Sequence, residues 1–131
     1  MPSIDNHIAV HANAVHLRST RARLISGNLA NADTPGYRAR DIDFSASLSR
    51  AVSNTARMRP VTTHAGHIPL KGGRILPLPE YRDAPEGSLD ENTVNSEFER
   101  IKFADNEVRY RASVQFVTGK LNGLLRALRG E

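Results

Sequence analysis

Residues 26–38 read SGNLANADTPGYR, and this stretch contains the end of a helix and the turn that follows it. Pro35 disfavours helical geometry at Thr34, so a helix that enters the stretch has to end before the proline. The Pro35-Gly36 pair suits the two central positions of a type II turn, with Gly36 at positive φ. The sequence therefore predicts a sharp change of chain direction directly after a helix.

The residues before this turn predict one long amphipathic helix over 4–32. Ile8, Val15, Ala22 and Leu29 recur at intervals of seven and form a heptad-like seam. The seam is narrow and rich in Ala, so a partner helix can approach closely. At about 1.5 Å per residue this helix is roughly 44 Å long, and so thin an apolar stripe needs a partner to be stable in water.

Residues 95–129 predict a second long helix of roughly 52 Å. Its start has two alternative caps, namely a capping box of Ser96 with Glu99, or Asn95. Arg126, Arg129 and Gly130 are typical of a helix end.

This second helix carries two apolar lines. One consists of Phe98, Ile101, Val108 and Ala112, and the other of Phe103, Tyr110, Val114, Val117, Leu121, Leu124 and Leu128. Two lines on one helix indicate more than one partner. We expect the first half of the helix to pack on the N-terminal helix of the same chain. We expect the last turns to pack on neighbouring chains through Val114, Val117, Leu121, Leu124 and Leu128.

The segment between the helices contains five of the seven prolines. It predicts one short helix, from Phe44 to Val52 with Asp43 as its cap. It also predicts a β-hairpin around residues 71–74, and loop elsewhere. The predicted fold is therefore mainly α: two long terminal helices pair as a coiled-coil-like hairpin around an irregular middle segment. We interpret residues 1–131 as a single domain, divided into a helix and turn (1–37), an insert (38–94) and a final helix (95–131).

The composition and charge of the chain argue against several classes of function. The chain has 131 residues, no Cys and a net charge of +4. The excess positive charge is spread along the chain with mixed signs, which does not favour nucleic-acid binding. No apolar run approaches the roughly 20 residues of a membrane span. Residues 1–15 lack the pattern of a cleaved secretory signal.

The residue types that carry catalysis or bind metals do not form a recognisable site pattern in the sequence. His7 and His11 have the spacing of two metal ligands on a helix, but no third ligand is evident. His64 and His67 are loosely spaced in the insert and do not indicate a metal site. Asp41 and Asp43 could form a carboxylate pair, but the helix cap already explains Asp43. We therefore predict no catalytic residues, no cofactor and no metal. Three arginines, Arg18, Arg21 and Arg23, are either a solvated helix face or a contact to acidic neighbours in an assembly.

Residues 26–38 resemble the N-terminal signature of bacterial flagellar rod and hook proteins, A-N-N-L-A-N-x-x-T-P-G-Y-K/R in generic form. Gly27 departs from it, where the family often has Asn. The resemblance implies an assembly motif made of Asn28, Leu29, Ala30, Asn31, Thr34, Pro35, Gly36 and Tyr37. Residues 39–44 and 87–110 are most similar to one proximal-rod protein, and a sister proximal-rod protein is the nearest alternative.

The resemblance also implies a location and a set of partners. Such proteins leave the cell uncleaved through the flagellar type III export apparatus and assemble in the periplasm as a helical tube, the driveshaft above the export gate. The implied partners are copies of the chain, other rod proteins, the adaptor protein FliE and the export gate. A small helical binding protein or export chaperone is the first alternative, a nucleic-acid-binding module the second, and an enzyme the last.

Overall fold

The computed structural model describes residues 4–55, 64, 77–83 and 90–130, and for residues 4–7, 54 and 55 it describes only the backbone. Within these residues the elements are helix α1 (Ile4–Ala30), strand β1 (Arg40–Asp41), helix α2 (Phe44–Thr55), strand β2 (Glu80–Tyr81) and helix α3 (Ser96–Arg129). The α1 and α3 helices pack antiparallel, because Asn28 lies opposite Glu99 and His11 lies opposite Phe116. Helix α2 packs on α1. This arrangement confirms the predicted mainly α hairpin.

The buried face of α1 differs from the predicted heptad seam. Ile8, Val15, Ala22 and Leu29 are only half-buried, whereas the buried side chains of α1 are Leu17, Ile25 and Asn28. The physical reason is that this face includes polar residues whose partners lie on β1 and α3. A pattern of apolar residues alone cannot detect such a face.

Helix α2 confirms the predicted short helix and its cap. It begins at Phe44 and runs to Thr55, three residues beyond the predicted end. The Asp43 carboxylate accepts a hydrogen bond from the backbone N–H of Ala46 at 2.9 Å, which satisfies a donor that the first turn leaves free. Only Ile42 and Asp43 separate the end of β1 from the start of α2.

The middle segment contributes a two-stranded antiparallel sheet that pattern analysis did not predict. Arg40 pairs with Tyr81 and Asp41 with Glu80. The predicted hairpin around residues 71–74 lies outside the described residues. The observed pairing brings residues 77–83 back to the start of the insert, beside the end of α1.

The cap of α3 is Asn95, and the capping box of Ser96 with Glu99 is wrong. The Asn95 side chain accepts a hydrogen bond from the Phe98 N–H at 3.0 Å. Glu99 is 1% exposed and points into the protein, so it is not available for capping. The other end of the helix is as predicted, with Gly130 in the left-handed conformation (φ 78°).

The face of α3 that meets α1 is polar along its centre. Glu99, Asn106 and Ser113, seven residues apart, are its buried residues. Phe98, Ile101 and Val108, which we expected to cover α1, are 53%, 66% and 68% exposed. The first half of α3 therefore packs on α1, but not through the predicted apolar line. Hydrogen bonds across the helix pair explain the difference, since Asn106 donates to the Arg18 carbonyl at 3.0 Å.

Candidate assembly site

The turn after α1 has the predicted type II geometry. The Tyr37 N–H donates to the Thr34 carbonyl at 3.3 Å, so Pro35 and Gly36 are the central pair. Gly36 has a φ of +70°, a conformation that glycine adopts without steric cost. Apart from the glycine and its two chain neighbours, no atom of the described residues lies within 4 Å of the place where a Cβ would stand. The glycine is therefore required by the backbone conformation rather than by lack of space.

The turn is clamped by Asn92, a buried residue that precedes α3. Its side-chain amide nitrogen lies 3.2, 2.7 and 3.0 Å from the carbonyl oxygens of Asn31, Ala32 and Thr34. Its side-chain oxygen accepts the Val94 N–H at 2.8 Å. One side-chain amide thus contacts three backbone carbonyls at the end of α1 and in the turn, two of which also accept backbone hydrogen bonds.

Two further backbone contacts hold the turn to the same segment. The Gly36 N–H donates to the Asp90 carbonyl at 2.8 Å, and the Thr93 N–H donates to the Tyr37 carbonyl at 3.0 Å. The buried Thr93 hydroxyl also accepts the Ala39 N–H at 2.6 Å. The turn and the entry to α3 therefore form one hydrogen-bonded joint.

Asn28 connects this joint to the helix pair. Its amide nitrogen donates to the Arg40 carbonyl at 2.9 Å and to Glu99 Oε2 at 3.1 Å, and its oxygen accepts the Arg40 N–H at 3.0 Å. Asn28 is 1% exposed. Of the predicted assembly motif, Asn28 thus acts inside the chain, and Asn31 bonds locally to the Gly27 carbonyl at 2.8 Å.

A charged cluster lies beside Asn28 and joins four elements. Asp41 on β1 forms a two-point ion pair with Arg21 of α1, with both N–O distances at 2.9 Å. Arg82, directly after β2, contacts both Asp41 and the buried Glu99 of α3. Lys102 Nζ lies 4.0 Å from Asp41 Oδ2. Because burying charged groups is costly, such ion pairs add little net stability to the fold. Their main effect is to fix which segments of the chain pack together.

The ion pairs set the protonation behaviour of this cluster. Burial alone would raise the pKa of Asp41, but hydrogen bonds and the charge of Arg21, with the Ile42 N–H and Arg82, outweigh it and lower the pKa. Burial lowers the pKa of Lys102, and the charge of Arg82 lowers it further. Asp41 is therefore ionised in the folded protein at neutral pH.

The arginine group of α1 has partners inside the chain. Arg18 donates to the Ser113 hydroxyl at 3.1 Å and lies 4.2 Å from the centre of the Phe44 ring. Arg21 binds Asp41, and only Arg23 is exposed. For Arg18 and Arg21 the interpretation as a solvated face is wrong, because both side chains are bound within the chain. A contact to acidic neighbours in an assembly stays a prediction.

Exposed apolar side chains concentrate on α3. Of the predicted assembly helix, Val114 is 37%, Leu121 44% and Leu128 85% exposed, while Val117 and Leu124 are half-buried. Phe98, Ile101, Val108, Phe116 and Leu125 add further exposed apolar surface. We refer to these exposed residues of α3 as the α3 apolar surface. Large apolar side chains exposed in this number along one helix indicate protein association.

The exposed part of the signature lies at the tip of the molecule. Ala30, Thr34, Pro35 and Gly36 are exposed, and Leu29 and Tyr37 are half-buried. The conformation of this exposed tip is held by the hydrogen bonds of Asn92 to its backbone.

Groups of three or more metal-ligand side chains do not occur among the described residues. His11 stacks on Phe116 with ring centres 6.0 Å apart, and the side chain of His7 lies outside the described part. His64 is exposed, and His67 lies outside the described residues as well. In the same part of the chain, no helix combines the length and apolar character of a membrane span.

A helical hairpin that exposes many large apolar side chains along one helix is typical of a protein that associates with other chains. The flagella basal body rod protein family matches residues 8–38, which cover most of α1 and the turn. The flagellar basal body rod protein FlgB of Cereibacter sphaeroides is 42% identical over all of both chains. FlgB of Proteus mirabilis is 36% identical, and FlgB of Escherichia coli K12 is 35% identical, each over 98% of this chain and at least 96% of its own length.

The chain belongs to the FlgB family of flagellar basal body rod proteins. It is thus a structural subunit of the proximal rod of the flagellar basal body and serves motility. These relatives settle the choice between the two sister proximal-rod proteins in favour of FlgB over FlgC. The relatives are rod proteins rather than enzymes.

Proposed function

We propose that copies of this chain assemble with other rod proteins into a helical tube, and that the α3 apolar surface forms the contacts between subunits. The observation that carries the proposal is the exposure of large apolar side chains along α3, up to 85% at Leu128. Full burial of one such side chain contributes roughly 1.5–3 kcal/mol. Heterologous contacts of this kind build open helical assemblies when their rotation does not close a ring.

The signature residues have two roles in this proposal. Asn28 and Asn31 shape the joint from inside, as their hydrogen bonds to Arg40 and Gly27 support. The exposed residues at the tip, namely Ala30, Thr34, Pro35 and Gly36, meet neighbouring subunits. The Pro-Gly turn sets the direction in which the chain leaves α1, and hence the shape of that contact.

The partners and the route to the rod follow from the family. We infer that the chain leaves the cell uncleaved through the flagellar type III export apparatus and assembles in the periplasm, above the export gate. Its neighbours there are copies of itself, other rod proteins and the adaptor protein FliE. We also infer that the chain does no chemistry and uses no cofactor, since the titratable groups around Asn28 are engaged with one another.

Imaging of basal bodies tests the proposal. The gene is deleted from the bacterium that encodes it and is replaced by a copy with a short internal tag in the 64–76 region. Purified basal bodies are then examined by electron cryo-microscopy. We expect the deletion to abolish both the rod and motility, and the tagged chain to appear as helically arranged subunits at the base of the rod. Complete rods in the deletion strain would overturn the proposal.

A further inference from the structure

A second exposed surface lies on the small sheet, away from the α3 apolar surface. The guanidinium carbons of Arg38 and Arg40 are 5.1 and 6.0 Å from the centre of the Tyr81 ring. Both arginines are exposed, and Tyr81 is 60% exposed. We refer to these three residues as the arginine–tyrosine patch.

The fold holds this patch in place. Arg40 pairs with Tyr81 across the two strands, and its backbone is bound by Asn28. Arg38 and Arg40 flank the buried Ala39, so they point to the same side of the chain. The patch is thus anchored by strand pairing and by the buried Asn28, although its side chains are exposed.

The charges of the patch are not neutralised within the described part of the chain. There, Arg21, Arg82, Arg109 and Arg111 each form an ion pair with a carboxylate, whereas the guanidinium groups of Arg38 and Arg40 lie by the Tyr81 ring and form no ion pair. Two like charges beside one ring favour an incoming anionic group. Arg and Tyr are also residue types enriched among those that dominate binding energy at protein interfaces.

The tip of the molecule carries charges of the opposite sign. Asp33, in the turn, and Glu91, in the segment hydrogen-bonded to it, are exposed and form no ion pair with the other described residues. One chain therefore presents a positive and a negative surface that do not satisfy each other. Opposite surfaces on identical chains favour a repeating contact from one copy to the next.

We propose that the arginine–tyrosine patch of one copy binds the acidic tip of a second copy, through Arg38 and Arg40 to Asp33 and Glu91. This proposal rests on the proposed function and adds to it a polar contact distinct from the α3 apolar surface. The apolar surface supplies affinity, and the charged contact selects the orientation of neighbouring subunits.

A charge-swap experiment tests the contact. Three variants of the full chain replace the wild-type gene: Arg38→Glu with Arg40→Glu, Asp33→Arg with Glu91→Arg, and all four changes together. Secreted subunit and the amount of subunit in purified basal bodies are measured separately. The control variant, Arg23→Glu with Arg100→Glu, makes the same change of net charge as the first variant, at other exposed positions.

We expect each double variant to lower incorporation at least about tenfold without lowering secretion, and the control to incorporate normally. The fourfold variant should restore incorporation, because every contact then has reversed but matched charges. Failure of the fourfold variant to restore it, or normal incorporation of Arg38→Glu with Arg40→Glu, would overturn this proposal. Absence of the wild-type chain from basal bodies would instead overturn the proposed function.

Discussion

Asn28 binds both backbone groups of Arg40 through its side-chain amide, at 2.9 and 3.0 Å. The Asn28 amide thus makes the two hydrogen bonds to Arg40 that the backbone of a neighbouring strand would make. The same amide nitrogen reaches Glu99 on α3. One residue therefore connects the end of α1, the start of the insert and the final helix.

Replacement of this residue should destabilise the whole joint. Asn28→Ala removes three hydrogen bonds and leaves the Arg40 backbone groups and Glu99 with unsatisfied polar atoms, each costing about 1–3 kcal/mol. We expect a loss of roughly 2–4 kcal/mol, measured by urea unfolding followed by circular dichroism. Asn122→Ala, at an exposed position of α3, is the control and should change stability little. Equal unfolding curves for the two variants would refute the role of Asn28.

The turn makes a separate prediction, because Gly36 has space around it but a φ of +70°. Gly36→Asn should be tolerated, since Asn adopts this conformation at modest cost, whereas Gly36→Val should strain the turn. Swimming in soft agar and counts of complete basal bodies measure the effect. We expect near-normal motility for Asn and strong loss for Val. Motile cells carrying Gly36→Val, with normal rods, would show that the turn geometry does not matter.

The charged cluster predicts a dependence of stability on pH. The pKa of Asp41 is lower in the folded chain than in the unfolded chain, so its contribution to stability is complete above its ordinary pKa, near pH 4. The contribution is lost as the pH falls through the folded value. We expect the midpoint of thermal unfolding to fall between pH 5 and about pH 2.

Two variants test whether Asp41 is the cause. In Asp41→Asn the midpoint should be lower at neutral pH and should change less over the acid range. Asp33→Asn, which alters an exposed carboxylate at the tip, should behave like the wild type. A wild-type acid response in Asp41→Asn would assign the effect to other carboxylates.

The elements that were predictable from the sequence depend on local signals. The turn followed from Pro35 and Gly36, α2 from its Asp43 cap, and the end of α3 from Gly130. Each of these signals acts within a few residues, so no knowledge of the tertiary structure is needed to interpret it. Family resemblance then identified the class of protein, which the local signals alone could not.

The features that were missed depend on polar contacts between distant segments. Glu99 appeared to be a capping residue because its partners, Asn28 and Arg82, are 71 and 17 residues away in sequence. Asn92 carries no periodic signal, although its amide contacts three carbonyls at the end of α1 and in the turn. The first apolar line of α3 was placed against α1 because an apolar face usually marks the core. Here the core-facing line is polar, and the apolar line is exposed.

We infer that α3 carries the contacts that hold the subunit in the rod. Leu128→Asp tests it most directly, because Leu128 is 85% exposed and its replacement removes almost no contact within the chain. Asn122→Asp makes the same change of charge nearby and serves as the control. The measurement compares secreted subunit with subunit in purified basal bodies. We expect Leu128→Asp to be secreted normally but absent from basal bodies, whereas basal bodies containing wild-type amounts of Leu128→Asp would contradict the account.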